Sequence, residues 1–264
     1  MSSQYRSPFR DLREALGASD RDADLSLEAE LSGIGVRIDP NRTRRTGIPE
    51  IVHAEHKEPE AVAAALERLA LEQGRALASR INSAAIDAVR SLIQGQIEIE
   101  IYTVARAIVA VRDGAEPPRT GGNVGVLSAG TSDVPIAAEA SLIANEMGAT
   151  VFEAWDVGVA GLHRLVSPLE RFAAEEVDAI VVAAGMDGAL PAVVAGLVDV
   201  PVIGLPTSIG YGMGAKGIGA LTTMLQSCAP GLVVVNVDNG IGAGSTAALI
   251  ANRAARLRGR LSQP

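Results

Sequence analysis

The single cysteine, Cys228, sits in LQSCAPG, after an apolar helical run and before a Pro-Gly break and the strand-like VVVNV. A thiolate there can serve as a nucleophile, and a free cysteine is equally at home as buried packing. His163 and Arg164 stand together in DVGVAGLHRLVSP. An arginine after a Gly-rich turn can clamp phosphate or carboxylate, or the pair is a solvated helix face. Asp187 lies between Met186 and Gly188 in AAGMDGALPAVVAG, where a carboxylate can work as acid or base or cap the helix that follows. SAGTSDVP supplies the hydroxyls of Ser128, Thr131 and Ser132, the bare backbone of Gly130, and Asp133. That loop opens onto a helix N-terminus, which attracts anions, although Ser132 or Asp133 can equally be a cap. NVDNGIGAG places Asn236, Asp238 and Asn239 ahead of Gly240, Gly242 and Gly244. A G-x-G-x-G run at the last strand, with no acidic ribose ligand about 20 residues on, is a weak dinucleotide signal.

Bulk properties remove several classes of function. The 264 residues carry 23 Lys and Arg against 31 Asp and Glu, a net charge of -8, with only 3% aromatic residues. Such a chain lacks both the basic field and the stacking surfaces of a nucleic-acid binder. One cysteine excludes a disulfide framework and a Cys-rich metal site, and His53, His56 and His163 do not have zinc-ligand spacing. No residues are assigned as metal ligands. The start is charged and lacks an apolar signal core. Apolar runs are broken well before about 18 residues, so no membrane helix is expected. A reducing cytoplasm is the expected compartment.

The elements that must position these loops follow from the spacing. Residues 1–34 are charge-rich and read as a flexible or helical arm. Residues 35–112 read as a small α/β domain, with a helix in EPEAVAAALERLALEQG, a strand in RALASRI, a helix in SAAIDAVRSLIQ and a strand with one wet face in QIEIEIYTV. DGAEPPRTGGN, residues 113–123, is a Pro/Gly linker. From 124 to 264 five apolar strands alternate with helices: VGVLSA, TVFEAWDV, DAIVVAAG, VPVIGLPT and GLVVVNVDNG. Pro168 is expected to interrupt the helical GLHRLVSPLERFAAEE, and the last helix is read from Ser245 onward. The pattern is that of a parallel-sheet, three-layer α/β domain of flavodoxin or Rossmann type, in which ligands bind beyond the carboxyl ends of the strands.

Taken together, GVLSAGTSD, the His-Arg after the second strand, AAGMDGALPAVVAG and NVDNGIGAG resemble the PurE superfamily. Within it the chain is most similar to the LarB family, over nearly its whole length. The resemblance includes Asp39, Arg42, Arg45, Gly47, Pro49 and Glu50 in the N-terminal segment, and the S-C-A-x-G-x-x-V-V-N-x-D-N-G run from Ser227 to Gly240. Purine-type members carry a His where this chain has Ala189, which argues against the purine reaction. Many LarB sequences have Glu in place of Asp187, and HAEHKEP replaces a more usual glycine-lysine-threonine segment.

The resemblance implies a PurE-like fold with an extra N-terminal domain, an octamer, and a pyridinium-3,5-biscarboxylic acid mononucleotide synthase. Such an enzyme carboxylates nicotinic acid adenine dinucleotide with carbon dioxide or bicarbonate and releases AMP, the first step toward the nickel-pincer nucleotide. No organic cofactor is implied, and magnesium is compatible with phosphoanhydride cleavage. The resemblance makes Cys228 the nucleophile, with Asp187 and His163 beside it in catalysis. The substrate-binding set is Ser128, Gly130, Thr131, Ser132, Asp133, Arg164, Asn236, Asp238, Asn239, Arg42 and Arg45. Two other readings are an aminoimidazole ribonucleotide carboxylase or mutase, and a non-catalytic nucleotide sensor in which Cys228 is dispensable. A generic dehydrogenase fails on the position of its glycine fingerprint.

Overall fold

The computed structural model describes residues 29–31, 36–39 and 41–261, so residues 1–28 and 32–34 of the expected arm, residues 1–34, lie outside the described residues, and Ala29–Leu31 of that arm form a strand instead. The chain divides between Glu116 and Pro117 into two compact units, with Thr103–Arg106 grouped with the second. That division falls within the Pro/Gly segment 113–123.

In the first unit, β1 (Ala29–Leu31) pairs antiparallel with β2 (Val36–Ile38). A short helix α1 (Arg42–Thr46) and β3 (Ile51–His53) lead into α2 (Pro59–Gln73). α2 starts with Pro at its first position, where no N–H is needed, and stops at Gly74, whose φ of 86° suits glycine. Its inner face buries Val62, Leu66, Leu69 and Ala70. β4 (Arg75–Ser79) and α3 (Ser83–Leu92) follow, and α3 is capped by Asn82 Oδ1 accepting from the Ala85 N–H at 2.8 Å. β5 (Ile97–Tyr102) and β6 (Ala107–Arg112) complete a four-stranded sheet of order β3-β4-β6-β5. Only β3 and β4 are parallel. β6 has no counterpart in the sequence reading. AIVAVR is a continuous apolar run that periodicity cannot assign to strand or helix, and it becomes a strand because β4 and β5 flank it on both sides.

The second unit is a five-stranded sheet, entirely parallel, of β7 (Asn123–Ser128), β8 (Thr150–Ala154), β9 (Ala179–Ala184), β10 (Val202–Pro206) and β11 (Leu232–Val234). The spatial order is β11-β10-β9-β7-β8. Its helices are α4 (Val134–Glu146), α5 (His163–Ala174), α6 (Leu190–Ala195), α7 (Ile218–Leu225) and α8 (Gly240–Leu261). α5, α6 and α7 cover one face through Leu165, Phe172, Leu190, Val194, Ala220 and Met224, packed on Ile180, Val182 and Val202. α4 and α8 pack against each other and against β7 and β9 on the other face. This is the expected three-layer α/β arrangement with a parallel sheet. Among the described residues no helix is long and apolar enough to cross a membrane.

Three local expectations are corrected. Pro168 does not interrupt its helix: α5 runs through it from His163 to Ala174. Burial of Leu165 on one side of the proline and Phe172 on the other offsets the missing backbone hydrogen bond. β11 is three residues long and ends at Val234, so NVDN is loop. The glycine run after it is helical, because α8 starts at Gly240 rather than at Ser245. A Cβ on Gly240 would lie 2.7 Å from the Ile136 carbonyl oxygen, and one on Gly244 only 2.2 Å from that of Ala140. These glycines let α8 approach α4 closely; tertiary packing overrides their poor helix propensity.

Candidate functional site

The strand order places a reversal between β7 and β9: the chain leaves β7 toward β8 on one side and returns to β9 on the other. In open α/β sheets this is where a crevice forms at the carboxyl edge. The two loops flanking it are Ala129–Asp133 and Gly185–Ala189.

Asp133 is the hub of this crevice. It is 5% exposed. Its Oδ2 accepts from the Gly130 N–H at 2.9 Å, and its Oδ1 accepts from the Thr207 hydroxyl at 2.6 Å. Burial raises the Asp133 pKa, opposed by hydrogen bonds from Thr207 and the backbone of Gly130 and Gly185, and the Asp238 charge pushes it further up. The carboxylate thus binds together the loops after β7, β9 and β10. It also occupies the Gly130 amide, so that N–H is committed to Asp133 rather than to a ligand. Thr131 and Ser132 are exposed at the crevice mouth.

Further braces link the remaining loops. Asp238 Oδ1 accepts from the Ser208 N–H at 2.7 Å, and the Asp238 N–H donates to the Pro206 carbonyl. Asn239 Oδ1 accepts from the Gly242 N–H at 2.9 Å, which caps α8. Asn236 is exposed. Ser128 is fully buried, and its hydroxyl accepts from the Asp156 N–H at 3.1 Å, holding the loop after β8. Arg164 pairs with Asp156 at 2.5 Å, and His163 is exposed at the first turn of α5. A Cβ on Gly185 would lie 2.2 Å from the Ile209 carbonyl oxygen, and the Met186 N–H donates to that same oxygen.

Four of the eight non-glycine residues with positive φ among the described residues lie on this edge. Asp156, Met186, Lys216 and Asp238, one in each loop after β8, β9, β10 and β11, have φ between 52° and 59°. For a non-glycine residue the left-handed region costs roughly 1–2 kcal/mol, and such positions gather at functional sites. Asp187 follows Met186 and is exposed, with only a long contact of 3.4 Å from the Ala189 N–H.

Cys228 is exposed, but on a different edge. It lies between the end of α7 and the start of β11. Gly231 beside it accepts from the N–H of Val202, the first residue of β10. Cys228 therefore stands on the amino-edge side of the sheet, whereas Asp133, Thr207 and Asp187 stand at the carboxyl edge. The five residues of β10 separate the two edges by about 13 Å.

Arg42 and Arg45 belong to the first unit. Arg42 pairs with Glu50 at 3.3 Å and Arg45 pairs with Asp39. Burial pushes the Glu50 carboxyl up, opposed by Arg42. Thr207, Ser208 and Asp156 are site residues that sequence reasoning did not single out. The available signal was a hydroxyl directly after the strand end VIGLP, masked by the glycine-rich run that follows it. Among the described residues no group of three or more His, Cys, Asp or Glu side chains converges on a point that could hold a metal ion.

Comparison with known proteins adds two domain matches. Residues 123–263 match the family model described as AIR carboxylase, and residues 31–112 match the one described as LarB/PurE-like N-terminal domain. An uncharacterised protein of Methanocaldococcus jannaschii is 44% identical over 218 residues, 82% of this chain and 84% of that protein.

Proposed function

Because the chain belongs to the LarB family of the PurE superfamily, and so is an enzyme of the carboxylase or mutase type, we propose that it is a pyridinium-3,5-biscarboxylic acid mononucleotide synthase. It takes nicotinic acid adenine dinucleotide and carbon dioxide, carboxylates the pyridinium ring, and hydrolyses the phosphoanhydride to release AMP. The observation that carries this reading is the joining of a LarB-type N-terminal domain to a catalytic domain with Ala189 in place of the purine enzymes' histidine and a single cysteine in S-C-A-x-G.

The chemistry needs that thiol. A pyridinium ring is electron-poor and does not attack carbon dioxide. Addition of the Cys228 thiolate forms a sulfur–carbon bond, and the ring nitrogen takes up the electron pair, giving a dihydropyridine with enamine character. The neighbouring carbon attacks carbon dioxide and forms the new carbon–carbon bond. A base removes the proton from that carbon, the sulfur–carbon bond breaks, and aromaticity returns. One unfavourable step is thereby divided into feasible ones. Asp187, exposed in the loop after β9, is suited to take the ring proton. His163, Arg164, Asn236 and the mouth residues Thr131 and Ser132 are suited to the substrate's carboxylate and phosphates, with Asp133, Asp238, Asn239 and Ser128 fixing the loops that carry them. Arg42 and Arg45 stay in the proposal as anion-binding residues of the first unit itself, where they pair with Glu50 and Asp39. A divalent ion carried by the substrate phosphates would offset their charge; none of these residue roles depends on one. A homo-octamer, as in purine-type relatives, is part of the proposal: with Cys228 and Asp187 on opposite edges of one chain's sheet, the thiol that acts beside Asp187 is a neighbouring subunit's.

The test is mass spectrometry of the products from nicotinic acid adenine dinucleotide, labelled bicarbonate and magnesium. AMP and a mononucleotide with one labelled carboxyl are expected from the wild type and absent with Cys228→Ala. Intact substrate with folded wild-type protein would sink this reading and bring aminoimidazole ribonucleotide forward as substrate.

A further inference from the structure

Each of the five loops at the carboxyl edge of the second unit's sheet carries one charged residue. Four are aspartates: Asp133, Asp156, Asp187 and Asp238. The fifth is Lys216, in the loop after β10. The chain has only two lysines, Lys57 and Lys216, among its 23 Lys and Arg. An anionic substrate that approaches four carboxylates is repelled unless a cation offsets them. Asp133 and Asp238 are turned to Thr207 and Ser208, and the charge of Asp156 is met by Arg164.

The backbone of Lys216 is strained. Its φ of 59° and ψ of 27° are left-handed. Gly212 and Gly217 in the same loop have φ of 71° and 80°, which glycine adopts without penalty. A lysine there is destabilised relative to glycine, and no contact of its side chain offsets that. The side chain is exposed, and among the described residues it makes no hydrogen bond or ion pair. Strain kept without a supporting contact is a mark of a functional position.

Lys216 is also fixed in place. A Cβ on Gly217 would lie 3.0 Å from the Thr207 carbonyl oxygen and 2.6 Å from Val237 Cγ1. A Cβ on Gly219 would lie 2.9 Å from the Gly214 Cα and 3.1 Å from the Met186 carbonyl oxygen. The backbone that carries Lys216 is thus pinned to Thr207, the partner of Asp133, and to the residue before Asp187.

We propose that Lys216 is a substrate-binding residue that receives a phosphate of the substrate's pyrophosphate at this edge. Lysine is a compact charge on a flexible four-carbon stem, suited to phosphate, whereas the planar fork of Arg164 suits a carboxylate. The identity of the anion rests on the proposed dinucleotide substrate; the presence of an anion site does not.

Having two lysines makes the site readable in the full-length protein. Reductive methylation with isotope-labelled formaldehyde marks Lys57 and Lys216 and keeps their charge, and Lys57→Arg and Lys216→Arg assign the two NMR signals. Inorganic pyrophosphate is then titrated in at constant ionic strength. A saturable shift of the Lys216 signal, with Lys57 unmoved, is expected. An unmoved Lys216, or the same drift in both lysines, would overturn the assignment. Lys216→Gly gives a second readout. Relief of the left-handed backbone should raise the thermal midpoint by about 2–4 °C, while pyrophosphate affinity falls about tenfold or more. A lower midpoint or undiminished affinity would count against the proposal. If pyrophosphate shifts Lys216 in a wild type that leaves nicotinic acid adenine dinucleotide intact, the synthase reading fails and the anion site stands. An active wild type whose KM for the dinucleotide is unchanged by Lys216→Gly overturns the site alone.

Discussion

The Thr207 hydroxyl donates a 2.6 Å hydrogen bond to Asp133 Oδ1 in a fully buried setting, tying the loop after β10 to the loop after β7 across the crevice. The two residues are 74 positions apart in sequence.

Thr207→Val keeps the shape and removes the donor, leaving one oxygen of a buried carboxylate without its partner. The expected loss of stability is about 1–3 kcal/mol, read from urea midpoints at constant slope. Thr207→Ser retains the hydroxyl and should recover most of that loss. A loss from Ser with none from Val would show that the methyl, not the bond, matters.

Asp133 carries a pH signature. Its folded pKa is raised above the ordinary value of 3.8, mainly by burial. The folded state therefore holds the proton more tightly than the unfolded chain. The resulting stabilisation is fully present below the unfolded pKa and is lost as pH rises through the folded pKa. The stability of wild type minus Asp133→Asn should fall across that window and then level off. Thermal midpoints at a series of pH values check this, and a difference that climbs with pH would contradict it.

Gly244→Ala should cost about 1–3 kcal/mol by forcing α8 away from α4, because its Cβ would lie 2.2 Å from the Ala140 carbonyl oxygen. Gly259 in the same helix has nothing within 4 Å of its Cβ position. Gly259→Ala should be neutral or stabilise by up to about 1 kcal/mol. Paired denaturation curves distinguish a packing glycine from a general effect of helix propensity.

Arg164→Ala breaks an exposed ion pair with Asp156, whose side chains are 40% and 45% accessible. Such pairs contribute about 0–1 kcal/mol, so the thermal midpoint should barely move. If Arg164 holds a substrate anion, KM for the proposed dinucleotide substrate rises several-fold at least while the fold stays intact. An unchanged KM would confine Arg164 to its pairing with Asp156.

Much of the second unit is legible in the sequence because its signals are strong and local. AIVVAA reads as a buried parallel strand because it stands in a repeated strand–helix alternation that AIVAVR lacks, and Gly148, with φ of 94°, closes α4 as a glycine should. The misreadings share a cause in distant packing. Pro168 and the GIGAG run break helices by intrinsic propensity, yet both lie inside helices held by partners far away in sequence. Thr207 shows no motif because its meaning comes from Asp133. The placement of Cys228 follows only from strand order: a residue before β11 and a residue after β9 lie at opposite edges, which spacing along the chain does not reveal.

The braces among the carboxyl-edge loops also bear on how this scaffold can acquire new substrates. Asp133 with Thr207, Ser128 with Asp156, and Ser208 with Asp238 hold the loops from beneath, whereas Thr131, Ser132, Met186 and Asp187 form exposed tips. Changes to a brace cost stability and disturb a neighbouring loop at once; changes to a tip alter what the crevice touches and little else. Divergence of specificity should therefore run through the tips, leaving the buried carboxylate and its hydroxyl partner as the inheritance that related enzymes keep.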